Sequence, residues 1–197
     1  MTSPLVRVLC LAMLVAASAG LSASESESPL TSLPRHVALG ERLHVSGQPT
    51  VEDIARLRSA GISTVIDLRP DGETLDLDER TAVEAAGLRY LSLPIANGAD
   101  LTPENVRRLD QLLRQTSNGN VLLHCASGNR AGALLALRSR WIEGKTPDES
   151  LALGKQAGLT GLGPAVQRLL DAPVPASSPV QPTPPSSGND PSTKDAP

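Results

Sequence analysis

The chain has 197 residues, a length that allows one domain with tails, and its formal net charge is −3. Its 18 basic and 21 acidic residues include no long block of lysine and arginine, which argues against nucleic acid or an anionic membrane surface as the main partner. Phenylalanine is absent, and Tyr90 and Trp141 are the only aromatic residues, so the core has to be aliphatic and no aromatic wall for stacking a substrate ring is evident.

The two ends of the chain differ in composition from its middle. Residues 1–19 contain one basic residue, an apolar run and a small-x-small pattern. They predict a bacterial signal peptide, and therefore an exported protein, periplasmic or secreted, without stable membrane insertion. Residues 20–35 are rich in serine and glutamate and predict a flexible lead-in. The domain itself is expected at 36–171, because the Pro/Ser-rich residues 172–197 predict a disordered tail.

Strand and helix patterns alternate along this domain. Short apolar runs of leucine and β-branched residues predict the strands, and threonines followed by acidic residues are typical of helix starts. The predicted elements are, in chain order, a strand at 43–46, a helix between Thr50 and Gly61, a strand at 62–68, a helix at 78–86, a strand at 89–95, a helix from Pro103 to about Ser117, a strand at 121–125, a helix that carries Trp141, a helix capped by Thr146 and a helix at 164–170. This alternation predicts an α/β fold, a three-layer sandwich whose mostly parallel central sheet of four or five strands has helices on both faces.

Three predicted loops follow the carboxyl ends of strands, at 69–73, 97–100 and 126–130. Ligands of parallel sheets bind outside the carboxyl ends of the strands. We therefore expect a functional site where these three loops meet.

The last of these loops has the pattern of an anion-binding site that contains a thiol. An apolar run leads into His124-Cys125-Ala126-Ser127-Gly128-Asn129-Arg130-Ala131-Gly132, and a helix rich in alanine and leucine follows. Backbone N–H groups of the loop and the positive end of the helix would point at one spot, where a dianion would bind and the Cys125 thiol would ionise readily. Arg130 would complete the site with a bidentate contact. Cys125 is also the sole cysteine outside the signal peptide, so no intramolecular disulfide is expected.

Together with this loop, several segments resemble the cysteine-dependent phosphatases in their sequence and order. Specifically, they resemble the bacterial dual-specificity-like phosphatase domain that is also found fused to β-lactamase-like hydrolases. The matching segments lie at 45–49, 66–73, 93–95, 101–104 and 124–130. The resemblance implies the cysteine-phosphatase fold and a phosphoric monoester hydrolase of tyrosine-phosphatase or dual-specificity type, without a cofactor.

The resemblance also implies roles for individual residues. Cys125 would attack the phosphoryl group and form a phosphocysteine that water hydrolyses, while Arg130 would stabilise the charge of the transferred group. Asp100 would be the general acid that protonates the leaving group, although serving the start of the next helix is an equally open role for it. Asp71 and Glu73 are the reserve candidates, with turn formation as their alternative role. The phosphate would be bound by the backbone amides of Ala126, Ser127, Gly128, Asn129 and Ala131.

Two further polar residues flank the site in this interpretation. His124 would hold the loop through a hydrogen bond, or it would pack as an ordinary strand histidine. Arg69 would add positive potential to the site, or it would form a salt bridge with a nearby carboxylate. No metal site is expected, because His36 and His44 lack ligand-like spacing to other residues.

Two features of the loop depart from the wider tyrosine-phosphatase superfamily. Only four residues separate Cys125 from Arg130, where the superfamily has five, and Ala131 stands where a hydroxyl residue usually helps the thiolate to leave. Breakdown of the phosphoenzyme is therefore expected to be slow.

A loop this short also resembles that of the rhodanese sulfurtransferases, in which the cysteine carries a persulfide. A non-catalytic anion-binding or redox-sensing module is a third alternative. For a phosphatase, the partner would be a phosphorylated small molecule or a phosphoprotein.

Overall fold

The computed structural model of the chain describes residues 29–73, 77–116 and 118–175. The predicted signal peptide lies outside these residues, as do most of the predicted lead-in and of the predicted tail. Within the described ranges, no helix is long and apolar enough to cross a membrane.

The described residues form an α/β fold with five strands and six α-helices. The strands are β1 (Val37–Leu39), β2 (Leu43–Ser46), β3 (Ile62–Asp67), β4 (Arg89–Ser92) and β5 (Asn120–His124). The helices are α1 (Val51–Leu57), α2 (Glu79–Ala85), α3 (Pro103–Gln115), α4 (Asn129–Trp141), α5 (Pro147–Gln156) and α6 (Gly163–Asp171). Short 3₁₀ helices occur at Pro29–Ser32 and Gly98–Asp100.

The five strands form one mostly parallel sheet in the order β1-β2-β5-β3-β4. β1, which the sequence analysis did not predict, is antiparallel to β2, and the other neighbours are parallel. Because β5 lies at the centre, His124 is opposite Ser46 on one side and Asp67 on the other. The segments that follow these three residues therefore leave the sheet side by side, and two of them contain the loops predicted at 69–73 and 126–130.

Helices cover both faces of the sheet, which confirms the predicted three-layer sandwich. Neighbouring residues of β5 point to opposite faces. Leu122 packs in a cluster with Ile54 of α1, whereas Leu123 packs in a larger cluster with Leu109 of α3 and Leu134 of α4. Each of these five side chains is at most 1% exposed, so the core is aliphatic, as the composition requires.

The prediction of a flexible lead-in at 20–35 is wrong for the part that contains Leu30 and Leu33. Pro29–Ser32 forms a 3₁₀ helix, and Leu30 and Leu33 are buried in the cluster on the α1 side of the sheet. Burial of two leucine side chains favours this ordering, and the packed part of the chain therefore begins before residue 36.

The strand predicted at 89–95 ends earlier, at Ser92. Pro94 has no N–H group to donate to a neighbouring strand, so a regular ladder stops before it. The chain nevertheless continues along β3, because Ile95 N donates to Leu68 O at 3.0 Å. This extension carries the 96–100 loop to the same edge of the sheet as Cys125.

Candidate active site

Cys125 directly follows β5, in the loop that leads into α4. We call residues 125–130 the Cys125 loop. The cysteine side chain is fully buried, and the backbone N–H of Gly128 donates to its Sγ over an N···S distance of 3.2 Å. Gly128 has φ of +84°, a left-handed conformation that glycine adopts without steric cost. The loop therefore turns back over the sulfur and places a donor where it stabilises negative charge on Sγ.

The first turn of α4 supplies backbone donors at the position that the sequence predicted. The first helical hydrogen bond runs from Gly132 N to Gly128 O at 2.9 Å. The N–H groups of Asn129, Arg130 and Ala131 therefore precede that bond and have no partner inside the helix. Because α4 has 13 residues, its N-terminus also carries the positive end of a helix dipole. An oxyanion next to Cys125 would meet these donors.

The segment after β2 braces the Cys125 loop from the other side. Gln48 N donates to Ala126 O at 3.2 Å, and Gly47 forms an isolated bridge with Ser127. A Cβ atom on Gly47 would lie only 3.0 Å from Ala126 O, so a larger residue would push the loop away. The Gly-Gln-Pro segment therefore fits its position because the two backbones approach closely.

Arg130 is held by Glu73, which lies 57 residues earlier in the chain. Nη1 donates to Glu73 Oε2 at 2.8 Å and to Ile95 O at 3.1 Å, and Nη2 donates to Glu73 Oε1 at 2.5 Å. These bonds use three of the five guanidinium N–H groups and leave Nε–H and one Nη2–H, which lie on one edge and match two oxygens of a phosphoryl group. Burial lowers the pKa of Arg130, but the hydrogen bond to Glu73 and the charges of Cys125 and Glu73 outweigh burial and hold that pKa above its ordinary value.

Asp100 lies on the loop between β4 and α3, as predicted. Its Oδ2 accepts hydrogen bonds from Ala96 N at 2.7 Å and Asn97 N at 3.2 Å, in the capping box of the short 3₁₀ helix. These contacts stabilise its own loop and do not involve Oδ1. The loop adjoins the site because the carbonyl of Ile95 accepts from Arg130. The role of Asp100 as general acid stays a prediction.

The two reserve carboxylates have different surroundings. Glu73 is engaged by Arg130, and it therefore serves as an acceptor for the guanidinium. Asp71 is exposed on the turn after β3 and lines a polar cavity with Arg69 and Asp78. Neither contact pattern is that of an acid aimed at the Cys125 loop.

A buried polar cluster joins the ends of β2, β3 and β5. Arg69 donates to Asp67 from Nε to Oδ1 at 3.0 Å and from Nη2 to Oδ2 at 2.7 Å, and its Nη2 also contacts Glu79 of α2. Glu79 accepts from Gln48 Nε2 at 2.8 Å. Its Oε1 lies 2.7 Å from Nε2 of His124, without the alignment of a hydrogen bond. Glu79 thus contacts a side chain from each of the three segments that leave the sheet together.

The charges of this cluster shift the pKa values of its members. Burial raises the pKa of Asp67, but hydrogen bonds from Arg69 and the charge of His124 outweigh burial and keep that pKa below its ordinary value. Burial lowers the pKa of Arg69, but its hydrogen bond and charge interaction with Asp67 raise it above the ordinary value. The hydroxyl of Tyr90 donates to Asp67 Oδ2 at 2.9 Å, and burial and the charge of Asp67 raise the pKa of Tyr90.

The same cluster has a spacing that suits a metal ion, with one ligand atom each from Asp67, Glu79 and His124 within 4.8 Å of one another. Arg69 already donates to both carboxylates, so a metal ion would have to displace its guanidinium. The donor set therefore fits an internal ion-pair network better than a metal centre. His36, by contrast, pairs with His44, Nε2 to Nδ1, at 3.0 Å.

The sequence analysis found the Cys125 loop but missed two residues that organise it. Of the two roles left open for Arg69, the salt bridge is the one observed. Glu73 was considered only as a reserve acid, and Glu79 was not considered at all. The available signal for Glu79 was a carboxylate at the start of a helix, between Asp78 and Arg80, a pattern that does not reveal a long-range partner.

Sequence comparison identifies relatives that are longer than this chain. The beta-lactamase hydrolase-like protein of Xylella fastidiosa (strain 9a5c) is 38% identical over 137 residues, which is 67% of this chain and 31% of that protein. The protein of the same description from Agrobacterium fabrum (strain C58) is 34% identical over 105 residues, or 51% of this chain and 24% of that protein. The chain spans about a third or less of the length of these curated relatives.

Structure comparison finds this fold in many solved structures, among them two bacterial proteins. The DUF442 protein of Shewanella putrefaciens CN-32 gives a TM-score of 0.57 at 26% identity and covers 74% of this chain and 92% of its own. The nma1982 protein of Neisseria meningitidis Z2491 gives a TM-score of 0.57 at 27% identity and covers 68% of this chain and 97% of its own. Both proteins carry the description "putative phosphatase", and the predicted α/β fold is confirmed.

A family profile matches residues 36–140, which is more than half of the chain and includes the Cys125 loop, Glu73 and Asp100. Its description is "Beta-lactamase hydrolase-like protein, phosphatase-like domain". This match confirms the resemblance that the short segments indicated. The chain belongs to the family of the phosphatase-like domain of beta-lactamase hydrolase-like proteins.

Proposed function

We propose that this domain is a cysteine-dependent phosphatase that hydrolyses phosphate monoesters through a phosphocysteine at Cys125. The observation that carries the proposal is the arrangement around Sγ. Sγ lies at the N-terminus of α4, next to Arg130, whose guanidinium is oriented by Glu73 with one edge left for two oxygens. The family and the two structural relatives support the phosphatase class.

In the first step, the Sγ thiolate attacks phosphorus, the S–P bond forms and the P–O bond to the leaving group breaks. The charge on the equatorial oxygens is stabilised by the N–H groups at the start of α4 and by the Nε edge of Arg130. Cys125 is fully buried, so side chains around the loop have to move when a phosphoryl group approaches. Arg130 is itself largely buried, with a side chain that is 13% exposed, which excludes water from the same place.

We propose Asp100 as the group that protonates the leaving oxygen. Two observations support this assignment: the loop of Asp100 contacts Arg130 through Ile95, and only one of its carboxylate oxygens is engaged by Ala96 and Asn97. Oδ1 is therefore the oxygen that carries and donates the proton. General acid catalysis of this kind contributes about 10²–10⁴-fold to the rate.

In the second step, water attacks phosphorus and gives a proton to Oδ1 of Asp100, which lost its own proton in the first step, while the S–P bond breaks and the thiolate leaves. Ala131 has no hydroxyl group with which to stabilise the departing thiolate, and its side chain is fully buried. Gly128 N–H is the donor that contacts Sγ directly. We therefore expect hydrolysis of the phosphocysteine to limit turnover on good leaving groups.

The proposal extends to location and substrate. The composition of residues 1–19 supports export, so the substrate would be a phosphorylated small molecule or a phosphoprotein outside the cytoplasm. Dual specificity, meaning action on phosphoserine as well as phosphotyrosine, belongs to the proposal because no aromatic side chain of the sequence lies in the Cys125 loop to select a ring.

The test is phosphate release from an aryl phosphate by the wild-type chain and by three variants. Cys125→Ser and Arg130→Lys are expected to abolish release, while Arg108→Lys, an exposed arginine of α3, is the matched control with wild-type activity. A parallel assay with thiosulfate and cyanide measures thiocyanate. Thiocyanate formation without phosphate release would contradict the proposal and identify a sulfurtransferase, and absence of both activities with retained vanadate binding would indicate an anion-binding module.

A further inference from the structure

The segment 157–162, which connects α5 to α6, lies against the Cys125 loop although it falls outside the residues that the family profile matches. The side-chain carbonyl of Asn129 makes the connection: Oδ1 accepts from Thr160 N at 2.8 Å and from Leu162 N at 3.2 Å. Asn129 is the first residue of α4 and immediately precedes Arg130. One side chain therefore ties the anion-binding turn to the C-terminal helices.

Close backbone contacts confirm that this segment and α4 fit each other. A Cβ atom on Gly132 of α4 would collide with Leu159 N of this segment and would lie 2.6 Å from Gly154 O of α5, so α4 could not approach either of them so closely with a larger residue. Gly158 has φ of +96°, and a Cβ atom there would lie 3.4 Å from the backbone of Gly128. The segment is thus packed against both ends of the turn that carries Asn129.

The start of α4 has no side-chain cap of its own. The N-cap residue is Gly128, which offers no side-chain acceptor, and no side chain caps the first N–H groups of this helix. Asn129 reverses the usual arrangement, because its side chain accepts from the N–H groups of another segment and so anchors the first turn of α4 from outside.

We propose that Asn129 is a positioning residue that fixes the anion-binding turn, and that the segment 157–162 is thereby a required part of the active site. The inference rests on the proposed function, because the turn that Asn129 fixes carries the N–H groups and Arg130 that bind the phosphoryl group. Asn129 does not touch the reacting atoms with its side chain. A displacement of these donors by about 1 Å lowers the rate by about 10²-fold.

The experiment compares three variants of the full chain with an aryl phosphate as substrate. Asn129→Ala removes both hydrogen bonds and is expected to lower kcat by at least about 10-fold, with a near-native circular dichroism spectrum. Asn129→Asp keeps both acceptor bonds but adds a charge that repels the dianion, so kcat should stay within about threefold of wild type while KM rises. Gln167→Ala removes a side-chain amide bond to Asp171 within α6, away from the Cys125 loop, and is the matched control.

Two results would overturn the inference. A folded N129A variant with wild-type kcat would show that the turn needs no anchor, and an N129D variant as slow as N129A would show that the two acceptor bonds are not what matters. Both results leave the proposed function standing, because that depends on loss of turnover in Cys125→Ser. If N129A does not fold, Asn129→Ser, whose hydroxyl is too short to reach both N–H groups, replaces it.

If the wild-type chain releases no phosphate, the proposed function fails and the positioning role is decided by a different measurement. Cys125 is alkylated with iodoacetate, an anion, and the modified peptide is quantified by mass spectrometry. Alkylation at least about 10-fold slower in N129A than in Gln167→Ala and wild type supports the role of Asn129. Equal rates in all three proteins overturn it.

Discussion

The contact between Glu73 and Arg130 yields the prediction that depends most on the observed geometry. In Glu73→Gln one of the two acceptor oxygens becomes an amide group that cannot accept, so the bidentate bond to the guanidinium is lost. Hydrogen bonds between charged groups contribute about 1.5–3 kcal/mol, and a discount for exposure is needed because the Glu73 side chain is 30% exposed. About 1–2 kcal/mol remains, which corresponds to a loss of about 5–30-fold in kcat/KM.

The assay is the steady-state kinetics of aryl phosphate hydrolysis, with inhibition by vanadate as an independent measure of oxyanion binding. Glu73→Asp keeps the charge but shortens the reach, so it should also be impaired, whereas Glu104→Gln removes a comparable exposed ion pair with Arg107 and should behave as wild type. In the opposite view, Glu73 competes with the phosphoryl group for the guanidinium of Arg130 and so weakens oxyanion binding. A rise in kcat/KM and tighter vanadate binding in Glu73→Gln would support that view and refute ours.

Three further predictions concern other groups. Asp100→Asn keeps an acceptor for Ala96 and Asn97 and should fold normally, but it should slow alkyl phosphates far more than aryl phosphates; equal effects on both would move the acid role elsewhere. Ala131→Ser should speed breakdown of the phosphocysteine and so reduce a pre-steady-state burst of the released phenol, unless the buried hydroxyl disrupts packing, which thermal unfolding would reveal. Burial raises the pKa of Asp110, but hydrogen bonds from Arg114 and Arg138 outweigh burial and hold that pKa below the ordinary 3.8. The ionised carboxylate therefore stabilises the folded state above pH 3.8, and this contribution is lost as the pH falls through the folded-state pKa. Urea unfolding should show Asp110→Asn to be destabilised by about 1 kcal/mol at neutral pH, with a difference from wild type that shrinks below pH 3.8, and a pH-independent difference would contradict this assignment.

The sequence was sufficient to predict the local features of the site. Cys125 and Arg130 lie where a short apolar strand gives way to a helix rich in alanine and leucine, and these two apolar runs, with Gly128 between them, indicate both elements. The alternation of strands and helices then places that loop at the carboxyl edge of the sheet. These inferences succeed because each depends on residues that are close together in the chain.

The contacts that orient the site could not be predicted in this way. Glu73 meets Arg130 across 57 residues, and Glu79 meets His124 only because α2 packs beside the ends of β3 and β5. A carboxylate on an exposed turn and one at a helix start have the same local pattern whether or not an arginine or histidine lies opposite. Asn129 is a similar case, since its partners are backbone N–H groups that carry no signature in the sequence.

The central claim is that phosphoryl transfer proceeds through Cys125, and trapping the intermediate tests it most directly. The full chain is mixed with an aryl phosphate, quenched in acid within the first turnover and digested for mass spectrometry. The account predicts one phosphoryl group on the peptide that contains Cys125, formed as fast as the phenol is released and absent in Cys125→Ser. Phosphate release that continues in Cys125→Ser, or a persulfide on Cys125 in place of the phosphoryl group, would contradict it.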